Sequence, residues 1–143
     1  RLHKSLDSLF SNCTHISVHC NLTKETHHLV NAERIASMPH IGKDGARCGS
    51  HIINCARGGI VDEDAVVAAL KSRVLTSAAL DVFEVEPVDP NHPLLQMEHF
   101  HGTPHTGAST VEAQARVGMD IATNVHAVLS GRSCKFIVKA EHL

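Results

Sequence analysis

Ile52-Ile53-Asn54-Cys55-Ala56-Arg57-Gly58-Gly59-Ile60-Val61-Asp62-Glu63 changes character twice within twelve residues. Two isoleucines open it as a buried strand. Asparagine, a small residue pair and arginine close that strand. Two glycines let the backbone turn sharply, and an acidic pair then marks a helix start. The order strand, tight turn, helix places the Arg57 guanidinium at the carboxyl end of a buried strand, the edge at which open α/β sheets hold their ligands. A planar guanidinium suits a carboxylate, which it grips through two parallel hydrogen bonds.

Two further stretches repeat the pattern. Leu80-Asp81-Val82-Phe83-Glu84-Val85-Glu86-Pro87 ends an apolar strand in carboxylates, and Thr103-Pro104-His105-Thr106-Gly107-Ala108-Ser109-Thr110 sets a histidine before a small-residue turn and a helix. Outward from these, the spacing predicts a short helix over Ser5 to Asn12 and a strand over His15 to His19. It predicts a helix from Asn31 or Ala32 to Met38 and a strand over His51 to Asn54. Asp62 caps a helix to about Ser72, and the next strand runs from Ser77 to Val82. Pro87 to Pro93 reads as loop. A long helix opens at Ser109 or Thr110 and reaches Leu129, ended by Gly131. A short terminal strand is expected over Phe136 to Val138. Alternating strands and helices imply an α/β fold, a doubly wound parallel sheet with helices on both faces.

Composition narrows the function classes. With 143 residues, 43% of them hydrophobic, the chain has enough apolar surface for one domain with a core. A formal charge of −2 argues against broad electrostatic binding to nucleic acid or to anionic membrane. The absence of tryptophan and tyrosine leaves base-stacking platforms poorly supplied. Cys13, Cys20, Cys48, Cys55 and Cys134 are odd in number and contain no C-x-x-C pair. A disulfide framework is therefore not expected, and a reducing, cytoplasmic setting fits. The sequence starts at Arg1 and has its first methionine at Met38, which reads as a fragment or a processed product.

Through N-C-A-R-G-G, L-D-V-F-E-V-E-P and T-P-H-T-G-A-S-T-V-E-A-Q, the chain resembles the D-isomer-specific 2-hydroxyacid dehydrogenases, and within them the phosphoglycerate dehydrogenase branch. The resemblance implies an NAD-dependent oxidoreductase of a small 2-hydroxy or 2-oxo acid. It implies a partial Rossmann-type domain over residues 1–131 and a tail over 132–143 that returns toward a substrate domain. It carries catalytic roles onto Arg57, Glu86 and His105: arginine on the substrate carboxylate, histidine as acid and base, glutamate on the other imidazole nitrogen. Glu84 competes with Glu86, and the glutamate directly before the proline is the family's choice. By the same resemblance Asp81 holds the nicotinamide carboxamide. Cys20, Cys55, Ala56, Arg57, His105 and the Thr106-Gly107-Ala108 turn border the cofactor. No metal is implied, and a homo-oligomer is expected. The strand, G-x-G-x-x-G turn and ribose-binding acid of a dinucleotide site are absent from this sequence. The chain is thus expected to be the second half of the nucleotide-binding domain, silent in catalysis when alone.

Several residues depart from the family pattern. Asn21 stands where proline is usual, and Arg73 and Ser77 replace glycines. If the turn at Arg73 needs a positive φ, arginine is strained there. Pro39 to Gly42 and Cys48 to His51 look inserted, giving an exposed, flexible loop. His99-Phe100-His101-Gly102 replaces a mostly apolar strand, so two imidazoles in a buried strand need partners. His99, His101 and His105 share strand parity and would form a three-imidazole face. His27 and His28 are expected to face solvent. A corepressor scaffold of the C-terminal-binding-protein kind has the same fold and triad. That group, however, carries a tryptophan-containing segment after T-P-H, and this sequence has none.

Overall fold

Four short strands lie side by side in chain order and all parallel: β1 (His15–Val18), β2 (His51–Asn54), β3 (Ser77–Leu80) and β4 (Phe100–Gly102). The computed structural model describes residues 2–134, 136 and 137. Register explains why the strands form where they do. Ile16, Ile52, Ala78 and Phe100 pair into one rung, and all four are buried. Val18, Asn54 and Leu80 make the next buried rung. The residues between, Ser17, Ile53 and His101, point the other way and are exposed, as a period of two requires.

Three helices cover the buried face. α1 (Leu6–Phe10) touches α2 (Ala32–Ser37), and α2 touches α3 (Glu63–Lys71), so they form one layer. Phe10, Ile35 and the pair Ala65 and Val66 are their buried contributions. Each helix starts at a side-chain cap: Ser5, Asn31 and Asp62 accept from the backbone N–H of Ser8, Arg34 and Ala65. The parallel α/β sheet expected from the sequence is what forms, and within this layer the helices close one face of it.

The chain divides after His105 into two units by its internal contacts. The second unit is built on α4 (Val111–Leu129), capped by Thr110. Gly131 at φ +70° and the Arg132 N–H bonded to the Ala127 carbonyl at 2.8 Å end it. Val117, Ile121, Val125 and Val128 lie exposed along α4. Among the described residues no helix is long and apolar enough to cross a membrane.

Four local expectations are revised. The stretch 93–96, expected as loop at its start, is a 3₁₀ turn with Pro93 at its first position and Leu94 fully buried. The inserted loop is a hydrogen-bonded hairpin: Ile41 bridges Arg47, and the Gly42 N–H donates to the Ala46 carbonyl at 2.8 Å. Among the described residues β4 pairs with β3 alone, and His99 and His101 are exposed, so neither imidazole bears a burial cost. Strand parity ends at Gly102, and His105 sits beyond it in a left-handed turn at φ +53°, so the three histidines do not share a face. Among the described residues no three metal-binding side chains converge. The terminal strand expected over 136–138 lies partly outside the described residues, and Phe136 itself is in a turn.

Arg73 adopts φ +59° where α3 ends, with the Leu75 N–H reaching back to the Ala69 carbonyl at 3.1 Å. A side chain in that region costs roughly 1–2 kcal/mol. Glycine removes that cost but adds about 0.5–1 kcal/mol of unfolded-state entropy. Arg73→Gly should therefore stabilise the chain by up to about 1 kcal/mol, read as a higher midpoint in urea denaturation. A lower midpoint would mean that the arginine side chain holds the turn.

Candidate active site

Asn54, the last residue of β2, is 1% exposed and points into the turn that follows it. Its Nδ2 donates to the Arg57 carbonyl at 2.9 Å and its Oδ1 accepts from the Ala56 N–H at 3.0 Å. One buried side chain thus satisfies a donor and an acceptor that the tight turn leaves over. The Arg57 side chain is exposed and donates through Nη1 to the Ala56 carbonyl at 2.7 Å. Gly59 takes φ +78°, a left-handed position that glycine adopts without strain. Gly58 serves a different purpose. A Cβ there would stand 1.8 Å from the Phe83 carbonyl oxygen, so the backbones of the two strand-end loops touch directly.

The second of those loops carries the carboxylate. Glu86 Oε1 accepts from the Phe83 N–H at 3.0 Å, and Glu86 Oε2 meets His105 Nδ1 at 2.8 Å. Those contacts, the imidazole first and the Phe83 amide second, hold the Glu86 carboxyl below the usual carboxylate range. The His105 ring is oriented from its backbone as well as its side chain. Its N–H donates to the Asp81 carbonyl at 2.8 Å and to the Thr103 carbonyl at 3.0 Å. Asp81, 6% exposed, accepts a hydrogen bond from the Thr103 hydroxyl at 2.5 Å and gives its own N–H to the Asn54 carbonyl at 2.9 Å. The left-handed backbone of His105 is strain of the sort that collects at functional positions.

Two hollows flank these residues. One of about 580 Å³ lies at the carboxyl ends of β1 and β2, lined by His19, Cys20, Asn21, Leu22, Cys55, Ala56 and Arg57. The other, about 430 Å³ and mostly apolar, is lined by Phe83, Glu86, Pro87, Val88, Pro104 and His105. The structure therefore brings Glu86 and His105 into contact and sets Cys20, Cys55, Ala56 and Arg57 around one cleft. Thr106, Gly107 and Ala108 belong to the second unit. Glu84 goes elsewhere: its carboxylate meets His28 at 3.0 Å and the Glu63 N–H at 3.3 Å. That corrects the expectation that His28 faces solvent, since it is half-buried and partnered.

The chain that carries these residues is similar to known proteins. The family model described as D-isomer specific 2-hydroxyacid dehydrogenase, NAD binding domain, matches residues 2–107. The chain belongs to that family. As an NAD-binding-domain sequence of 2-hydroxyacid dehydrogenases, it is 41% identical over 138 residues to a glyoxylate reductase of Thermofilum pendens, covering 96% of this chain and 38% of that protein. It is 45% identical over 126 residues to a D-3-phosphoglycerate dehydrogenase of Synechocystis, covering 88% of this chain and 21% of that one. A solved D-isomer specific 2-hydroxyacid dehydrogenase of Xanthobacter autotrophicus, in complex with NADPH and MES, superposes with a TM-score of 0.74 at 34% identity. The match covers 94% of this chain and 51% of that chain. This dehydrogenase-family chain thus spans well under half the length of the curated relatives it is compared with here.

The sequence pattern missed Asn54, Gly58 and Glu63 as site-building residues. A polar residue at an inward strand position was the available signal for Asn54. Gly58 and Glu63 act through backbone groups of a segment more than twenty residues away, which no local pattern shows.

Two outcomes follow from this geometry. Gly58→Ala forces the two loops apart and should destabilise the chain by about 1–3 kcal/mol, the usual range for overpacking, read by urea denaturation. Because the Glu86 pKa is lowered by folding, its contribution is present above the ordinary carboxylate value and is lost as pH falls through the lowered one. Glu86→Gln should accordingly flatten the acid limb of the stability–pH curve; an unchanged limb would show that the imidazole contact contributes nothing to folding.

Proposed function

We propose that this chain is the second half of the nucleotide-binding domain of a cytoplasmic, NAD-dependent oxidoreductase that acts on the CH–OH group of a D-2-hydroxy acid. Residues 1–131 correspond to that half; the expected return of residues 132–143 toward a substrate domain falls mostly outside the described residues. The observation that carries the reading is the 2.8 Å contact between His105 Nδ1 and Glu86 at the same sheet edge as Arg57. The relatives named D-3-phosphoglycerate dehydrogenase and the full motif set support that enzyme as the specific member. An assembly of several copies is supported by the exposed apolar residues of α4.

Cys20, Cys55 and Ala56 are small and line the 580 Å³ cleft, so they fit the nicotinamide end of NAD, with Asp81 close behind on the adjacent strand end. When bound, the cofactor supplies the hydride acceptor for alcohol oxidation. Arg57 grips the substrate carboxylate through its fork and orients the carbon that reacts. His105 Nε2 takes the hydroxyl proton. Glu86 on Nδ1 keeps that ring in the tautomer that leaves Nε2 able to accept it and stabilises the imidazolium that results. In the reverse direction His105 returns the proton to the carbonyl oxygen.

The test is a chimera in which this chain replaces the corresponding segment of the Synechocystis relative. His105→Ala should lower kcat by about 10²- to 10⁴-fold, the range for general acid–base catalysis, while NADH affinity stays near that of the parent. Arg57→Lys should be costly as well, mainly in KM for the acid. Full turnover in the His105→Ala chimera would sink the assignment. Alone, the chain should neither turn over nor bind NADH at micromolar concentrations by titration calorimetry, because the pyrophosphate-binding turn is not in its sequence.

A further inference from the structure

Glu63 opens α3 and is 8% exposed, and its side chain bonds to the Glu84 amide and the His92 ring. Its Oε1 accepts the Glu84 N–H at 2.6 Å, and its Oε2 meets His92 Nε2 at 3.1 Å. The exchange is reciprocal: Glu84 Oε1 accepts the Glu63 N–H at 3.3 Å. The His92 ring is fixed for this task, because its Nδ1 accepts the Leu94 N–H at 3.3 Å and so leaves the proton on Nε2. His28 joins from a third segment, with Nε2 at 3.0 Å from Glu84 Oε1 and its own N–H on the Gly59 carbonyl at 2.8 Å. These bonds tie the β2–α3 turn, which carries Arg57, to the loop after β3, which carries Glu86.

We propose that Glu63 and Glu84 are a positioning pair that fixes the Arg57 turn against the Glu86–His105 dyad. The inference rests on the reading of Arg57, Glu86 and His105 as the reacting groups. Its logic is mechanical. The contact of Gly58 with the Phe83 carbonyl sets how closely the two loops approach. The reciprocal bonds five residues further on in one loop and one further in the other pull them together. A hinge held both by contact and by tension has one resting position, which is what two catalytic groups on different loops need.

Burial, with the neighbouring Glu84 charge, pushes the Glu63 carboxyl up, against the pull of the Glu84 amide and His92. Its contribution to folding is therefore most favourable below the ordinary carboxylate range and is lost as pH rises through the raised value.

The experiment is histidine ¹⁵N NMR on the 143-residue chain, comparing the parent with Glu63→Ala, Glu63→Gln and Glu86→Ala. Glu86→Ala removes the acceptor on His105 Nδ1 and defines that signal with the dyad broken. Glu63→Ala should move the His105 signal toward that reference while His15 and His126, remote in the sequence from the brace, stay in place. Glu63→Gln keeps one acceptor for the Glu84 amide and should restore most of the parent position. A folded Glu63→Ala chain with an unmoved His105 signal overturns the proposal, as does a displacement shared equally by His15 and His126. Should Glu63→Ala fail to fold, Glu84→Ala, which removes only one of the reciprocal bonds, is judged by the same criterion. None of these readouts depends on turnover, so failure here is distinct from failure of His105 as acid and base.

Discussion

The backbone of Gly58 lies against the carbonyl of Phe83, with no room for a side chain between them. That single approach determines how the two functional loops relate. The β2–α3 turn must contain glycine there, and the segment after β3 must present a carbonyl, not a side chain, at that point. Asn54 then holds the turn from inside, and Glu63 and Glu84 hold the loops together from behind. Neighbouring strands in a parallel sheet fix only the strand ends. The few residues beyond each end need their own constraints, and here those constraints are almost all bonds to backbone groups.

Carboxylates are concentrated in this region, and each has a defined partner. Glu86 has an imidazole and an amide. Asp81 has the Thr103 hydroxyl. Glu63 has an amide and the His92 ring, and Glu84 has an amide and the His28 ring. Like charges so near one another would repel strongly in a medium of lowered dielectric. Backbone donors and neutral or protonated imidazoles relieve that repulsion without bringing in lysine or arginine, which leaves Arg57 uncommitted to any carboxylate bond among the described side-chain contacts. A cation already paired inside the protein would be a poor receptor for a substrate acid.

Much of this arrangement was legible in the sequence because it is local. Ile16 and Val18, Ile52, and Ala78 and Leu80 alternate as buried strand residues should, and Asp62 and Asn31 announce their helices. The strands after Val18 and Leu80 stop one or two residues earlier than the apolar pattern does, since pairing and not hydrophobicity defines their ends. The positive φ at Arg73 was raised as a condition only through the resemblance, from the glycine usual at that position, since the arginine itself gives no sign of it. Glu84 and Glu86 were not separable by parity, for both lie beyond the strand in bends that send them in different directions. His99 and His101 were misread because a sequence does not say which face of the sheet the helices cover: His99 lies in the turn before β4, and His101 points to the face on which Ser17 and Ile53 are also exposed. The 3₁₀ turn at Pro93 was hidden inside a proline-rich loop for a similar reason: Leu94 is buried there by contacts distant in sequence.

The left-handed backbone at His105 bears on how its chemistry can be isolated. Alanine at that position would remove the imidazole and also retain a backbone cost that no longer has a ring contact to offset it. Asparagine visits left-handed conformations readily and carries a short polar side chain. Two replacements thus differ in geometry while sharing the loss of the imidazole. Their difference measures the conformational work done by the loop, and any defect they share measures what the ring itself contributes, which under the proposed function is proton transfer.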